Sequence, residues 1–131
     1  MDALTPQLPL ETLLIVDDEP LMTDLFRQYM TRRGFHVLTA ESGAVALQVI
    51  EAEAGAIHLV ISDMRMPDMD GIALAQTLAQ SHPHLPVLIA TGQDTSLSNT
   101  PLPPNIVGMV QKPYQNRVLA ERIREILGSR V

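Results

Sequence analysis

Apolar and polar positions alternate along this chain in blocks rather than residue by residue. Thr12-Leu13-Leu14-Ile15-Val16 is a continuous apolar run of strand length, the pattern of a strand covered on both faces. Residues 20–33 switch to helical spacing: Leu21, Leu25 and Tyr29 share one stripe, with Met22, Phe26 and Met30 beside it. Gly34 suits the stop of that helix, and residues 36–39 read as a second strand. Ser42 is placed to cap a helix running to about residue 54, with Val45, Leu47, Val49 and Ile50 inward. Residues 57–62 predict a third strand, 72–80 a third helix, 86–90 a fourth strand and 106–110 a fifth. Residues 115–127 close the chain as a helix. Strands alternating with helices predict an α/β fold: a parallel sheet with helices on both faces, joined by right-handed crossovers.

One segment departs from this alternation. Between Thr91 and Ile106 stand Pro101, Pro103 and Pro104, each of which removes a backbone donor and restricts its predecessor. Where a fourth helix is due, the pattern predicts a loop or at most one short turn. Residues 1–11, with Pro6 and Pro9, read as a flexible lead-in, leaving 12–128 as one domain.

Composition narrows the picture. At 131 residues and 46% hydrophobic, the chain has enough apolar material for one core. Aromatics are only 3%, so that core is aliphatic with methionine as filler. A net charge of -6 argues against a nucleic-acid grip. The absence of cysteine rules out disulfides and thiolate chemistry. No apolar run reaches the roughly 20 residues needed to cross a bilayer, and no signal peptide is evident. The expected setting is cytoplasmic.

The candidate chemistry sits where strands end, the edge at which open parallel sheets bind ligands. Asp17-Asp18-Glu19 follows the first strand, Asp63 the third, Thr91-Gly92 the fourth and Lys112-Pro113 the fifth. Alone, each has an ordinary explanation. The acidic triplet could cap the first helix, Thr91 could be a strand-end hydroxyl, and Lys112 a solvated charge. Asp68-Met69-Asp70-Gly71 resembles a calcium loop only superficially, since the first ligand position would be Met66 and the twelfth Thr77. It reads as a turn. His36, His58, His82 and His84 lack zinc-ligand spacing.

Taken in order, these five features resemble the receiver (phosphoacceptor) domain of two-component response regulators and hybrid histidine kinases. They are Asp17-Asp18, Asp63, Met66-Pro67-Asp68-Met69-Asp70-Gly71, Thr91 and Lys112-Pro113-Tyr114. The resemblance implies a flavodoxin-like, doubly wound, five-stranded parallel sheet in the order 2-1-3-4-5. It implies that Asp63 accepts a phosphoryl group in a Mg²⁺-dependent reaction, from a histidine kinase or a histidine phosphotransfer domain. Asp18 and Asp63 would bind the ion directly, Asp17 through water, and the Arg65 backbone carbonyl would add an oxygen. Lys112, the Thr91 hydroxyl and the amides of Met64 and Gly92 would hold the phosphoryl oxygens. The Lys112–Pro113 bond is expected to be cis.

Two departures bear on signalling. Met109 stands where many receivers carry an aromatic switch, and the proline-rich segment replaces the fourth helix. The missing fourth helix, with Thr91-Gly92-Gln93 and the Lys112-Pro113-Tyr114 ending, resembles receivers attached to hybrid sensor kinases. The chain is expected to catalyse only its own phosphorylation and dephosphorylation. Two other readings compete. One is a receiver-like interaction module that works without phosphorylation, against which the intact Asp17, Asp18, Asp63, Thr91 and Lys112 speak. The other is an aspartyl phosphohydrolase, which would want an acid two residues past the nucleophile, where Arg65 stands.

Overall fold

Successive residues of a strand point to opposite faces of its sheet, and the first apolar run uses both. Leu13 and Ile15 enter one buried cluster, Leu14 and Val16 the other. In the computed structural model, which describes residues 10–53, 55–92 and 101–128, this run is β1 (Thr12–Val16), buried throughout. The other strands are β2 (His36–Ala40), β3 (Leu59–Asp63), β4 (Val87–Thr91) and β5 (Ile106–Gln111). The helices are α1 (Pro20–Thr31), α2 (Gly43–Glu53), α3 (Gly71–Ser81) and α4 (Asn116–Gly128). All strand pairings are parallel, in the order β2-β1-β3-β4-β5. The expected sheet is therefore the observed one, with boundaries displaced by one or two residues.

Two layers of helices cover it. Phe26 and Met30 of α1 and Leu119 and Ile123 of α4 pack on one face with Leu13, Ile15, Leu59 and Ile61. Ile50 of α2 and Leu74 and Leu78 of α3 pack on the other with Val60, Val87 and Ile89. The expectation for α1 needs refinement. Its buried residues are Thr23, Phe26 and Met30, while Leu21 is 79% and Leu25 57% exposed. The helix carries more apolar surface than its contacts with the sheet and α4 cover.

The turn after β3 is fixed by two aspartates with different tasks. Asp70 caps α3, accepting from the Ala73 amide at 2.7 Å. Asp68 reaches across the fold and accepts from the Gly43 and Ala44 amides at 3.1 and 2.8 Å, capping α2. These bonds hold the Asp68 carboxyl below its ordinary pKa. Ser42 also serves α2, accepting from the Val45 amide at 3.1 Å, as expected. Gly71 is required by space: a Cβ there would lie 2.8 Å from the Asp63 carbonyl oxygen and 3.0 Å from Ile89. The short helical turn considered for residues 94–100, like most of the lead-in, lies outside the described residues. Four helices flank the sheet among those described, and residues 101–105 hold no helix.

Candidate functional site

Register alone brings four strand ends together. Val16 pairs with Ser62, Asp63 with Ala90, and Thr91 with Gln111. Asp17, Asp63, Thr91 and Lys112 thus leave adjacent strands at one edge of the sheet. Backbone hydrogen bonds continue past the strands and lock these ends. The Asp17 amide donates to Ala40 at 3.0 Å, Met64 to Ala90 at 2.8 Å and Lys112 to Thr91 at 2.8 Å.

At the centre, the Lys112 ammonium donates to Asp17 Oδ2 and to Asp63 Oδ2, 3.2 Å each. Asp17 is 4% exposed and its other oxygen accepts from the Glu19 amide at 3.0 Å. The helix-capping explanation of the acidic triplet fails here, because α1 starts without a side-chain cap. Asp18 is exposed, and carboxylate oxygens of Asp17, Asp18 and Asp63 lie within 4.8 Å of one another. Thr91 is buried at the end of β4. The Lys112–Pro113 peptide is cis, as the resemblance implied.

The electrostatics follow from burial and crowding. Burial pushes the Asp63 carboxyl above its ordinary value. The Lys112 ammonium pulls the other way, Asp17 adds to the rise, and the Arg65 amide partly offsets it. For Lys112, burial lowers the pKa, but the Asp17 and Asp63 carboxylates outweigh it and raise the ammonium above its usual range. The Tyr114 phenol is raised, first by burial, with Lys112 opposing and the carboxylates adding.

A raised carboxyl pKa favours the neutral form in the folded state. Its stabilising contribution is full below the unfolded value and is lost as pH rises through the folded one. At neutral pH without metal, ionised Asp63 is therefore a liability. Asp63→Asn is expected to melt at a higher temperature than wild type in EDTA at pH 7. The gap should narrow as pH falls to about 4, the ordinary carboxylate range; circular dichroism melts would check both.

Two site features escape sequence reasoning. The Met64 amide cannot serve a ligand, because it continues the β3–β4 ladder by donating to Ala90. The Arg65 amide faces the Asp63 carboxylate instead. Glu19 also lies near Lys112, with Oε1 4.0 Å from the ammonium. His58 has a structural task, its Nδ1 accepting from the Thr12 amide at 2.9 Å.

The model of the response regulator receiver domain matches residues 13–124. The chain belongs to the response regulator receiver family. Among relatives of this receiver, the sensor kinase CckA of Brucella abortus (strain 2308) is 32% identical over 118 residues, 88% of this chain and 12% of that protein. The transcriptional regulatory protein GlrR of Escherichia coli (strain K12) is 44% identical over 79 residues, 60% of this chain and 17% of that one. The receiver thus spans under a fifth of either relative's length.

Solved structures agree in fold. A receiver domain protein of Clostridium thermocellum superposes with TM-score 0.82 at 27% identity, covering 92% of this chain and 97% of that one. The receiver of hybrid histidine kinase CckA gives 0.74 at 31%, covering 87% and 96%. The response regulator TrrA of Thermotoga maritima, solved with Mg²⁺ and a beryllium fluoride, gives 0.75 at 26%, covering 88% and 98%. No helix among the described residues is long and apolar enough to cross a membrane.

Proposed function

We propose that this receiver accepts a phosphoryl group on Asp63 from a phosphohistidine donor, in a Mg²⁺-dependent reaction, and signals by the conformational change that follows. The observation that carries this reading is the contact of Lys112 with both Asp17 and Asp63, residues 95 and 49 positions away in sequence. The donor is a histidine kinase or histidine phosphotransfer domain, and the setting is cytoplasmic.

The residues suit a divalent cation. Three carboxylates converge within 4.8 Å, and hard oxygen donors with open positions fit Mg²⁺. Asp18 and Asp63 would hold it directly, Asp17 through water, with the Arg65 carbonyl as a further oxygen. When bound, the ion supplies charge neutralisation for the approaching phosphoryl group.

An Asp63 carboxylate oxygen forms the new bond to phosphorus as the donor's P–N bond breaks, and the imidazole nitrogen keeps the electron pair. Such transfers need positioning and charge compensation more than covalent help. Lys112 supplies a point charge for a phosphoryl oxygen. The Thr91 hydroxyl and the Gly92 and Arg65 amides supply donors for the others, Arg65 replacing Met64 in that role. The receiver's chemistry is thus confined to its own phosphorylation and dephosphorylation.

The test is direct. Incubation with Mg²⁺ and acetyl phosphate is expected to add one phosphoryl mass to the intact chain, and EDTA to prevent it. Absence of labelling with Mg²⁺ present would favour the phosphorylation-independent interaction module.

A further inference from the structure

Lys112 faces two carboxylates inside the pocket and one outside it. Asp17 and Asp63, 4% and 12% exposed, lie 3.2 Å away; Glu19, 64% exposed, lies 4.0 Å away. Its backbone is anchored, since its amide donates to Asp17 Oδ1. Its carboxylate has no capping task at α1. Of the three carboxylates beside Lys112, Glu19 is the one that stands mostly in solvent.

We propose that Glu19 is a specificity-determining residue that sorts phosphoryl donors by charge, disfavouring small dianionic donors relative to donors whose phosphoryl charge is offset by a cationic nitrogen. This rests on the phosphoacceptor reading of Asp63. Coulomb repulsion scales with the product of charges, so the Glu19 carboxylate penalises a dianion twice as strongly as a monoanion at the same distance. Acting largely through water, the penalty is screened by salt. Glu19 also tethers Lys112, but that effect is common to all donors and cancels in their ratio.

Two small donors separate these charges. Acetyl phosphate is a dianion at neutral pH; Asp63 attack breaks its P–O bond and acetate leaves with the electron pair. Phosphoramidate carries an ammonium and one net negative charge; attack breaks its P–N bond and ammonia leaves with the electron pair. Rates of mass increase of the full chain with Mg²⁺ would be measured for both.

At low ionic strength, Glu19→Gln is expected to accelerate acetyl phosphate about fivefold and phosphoramidate about twofold. Glu19→Lys should move the acetyl phosphate to phosphoramidate ratio about fivefold, and Glu19→Asp should keep it near wild type. At about 1 M salt the ratios should converge. Labelled wild type with an unchanged donor ratio in both charge variants would overturn the gate alone. Wild type labelled by neither donor would overturn the phosphoacceptor reading, and the gate with it.

Discussion

Asp63→Asn is expected to abolish phosphoryl uptake from acetyl phosphate and from any phosphohistidine donor. The drop should be on the order of a thousandfold or more, the scale of deleting a covalent nucleophile. The amide keeps the shape of the side chain and can still accept from Lys112, so the loss isolates nucleophilicity from packing. Asp63→Glu makes the complementary case. It retains a carboxylate but displaces it by about 1 Å, which costs roughly a hundredfold in a reaction governed by positioning. Peptide mapping of the labelled protein should place the phosphoryl group on Asp63. Undiminished labelling of Asp63→Asn, or a label on Asp17 or Asp18 in the wild type, would refute the assignment. A fall in labelling for Asp63→Asn but none for Asp63→Glu would mean that position matters less than charge.

The sheet was legible because its central strands, β1, β3 and β4, are buried on both faces. Burial of all five β1 residues demands an unbroken apolar run, and such a run has few other homes. The site was legible for the same reason: a polar residue directly after such a run must emerge at the sheet's edge, and register brings Asp17, Asp63, Thr91 and Lys112 side by side. What sequence concealed depends on partners far along the chain. Asp68 looks like a turn residue, yet its carboxylate caps a helix that begins 25 residues earlier. Leu21 and Leu25 have helical spacing, yet face solvent, because periodicity identifies an apolar stripe but not which stripe has a neighbour. The Met64 amide, expected to donate to a phosphoryl oxygen, is instead taken by Ala90, because the hydrogen-bond ladder runs one residue past the end of β3. Glu19 had no local signal beyond adjacency to Asp17 and Asp18. Its nearness to Lys112 is a consequence of how α1 leaves β1.

Lys112→Ala is expected to destabilise the metal-free protein by about 2–3 kcal/mol. Removing one partner of a buried ion pair costs about 3–5 kcal/mol, and the lower figure follows from the ammonium's partial exposure, 18%. For a chain of this size the midpoint of thermal unfolding should fall by about 10 °C. The loss arises because buried Asp17 and partly buried Asp63 would then repel each other without a counterion. It should therefore be recovered by Mg²⁺, which neutralises the same carboxylates; saturation at a hundred times Kd is worth about 2.7 kcal/mol. Wild type should gain less from Mg²⁺, since its own ammonium already occupies Asp17 and Asp63. The pH dependence has a definite sign. Lys112 is raised above its unfolded value, so its contribution is complete below the ordinary lysine range and is lost only as pH rises through the higher folded value. The difference between wild type and Lys112→Ala should stay flat around neutrality and close in strong alkali. A variant as stable as wild type and indifferent to Mg²⁺ would show that the ammonium is not the counterion of the acidic cluster, and the electrostatic basis of the site would fall.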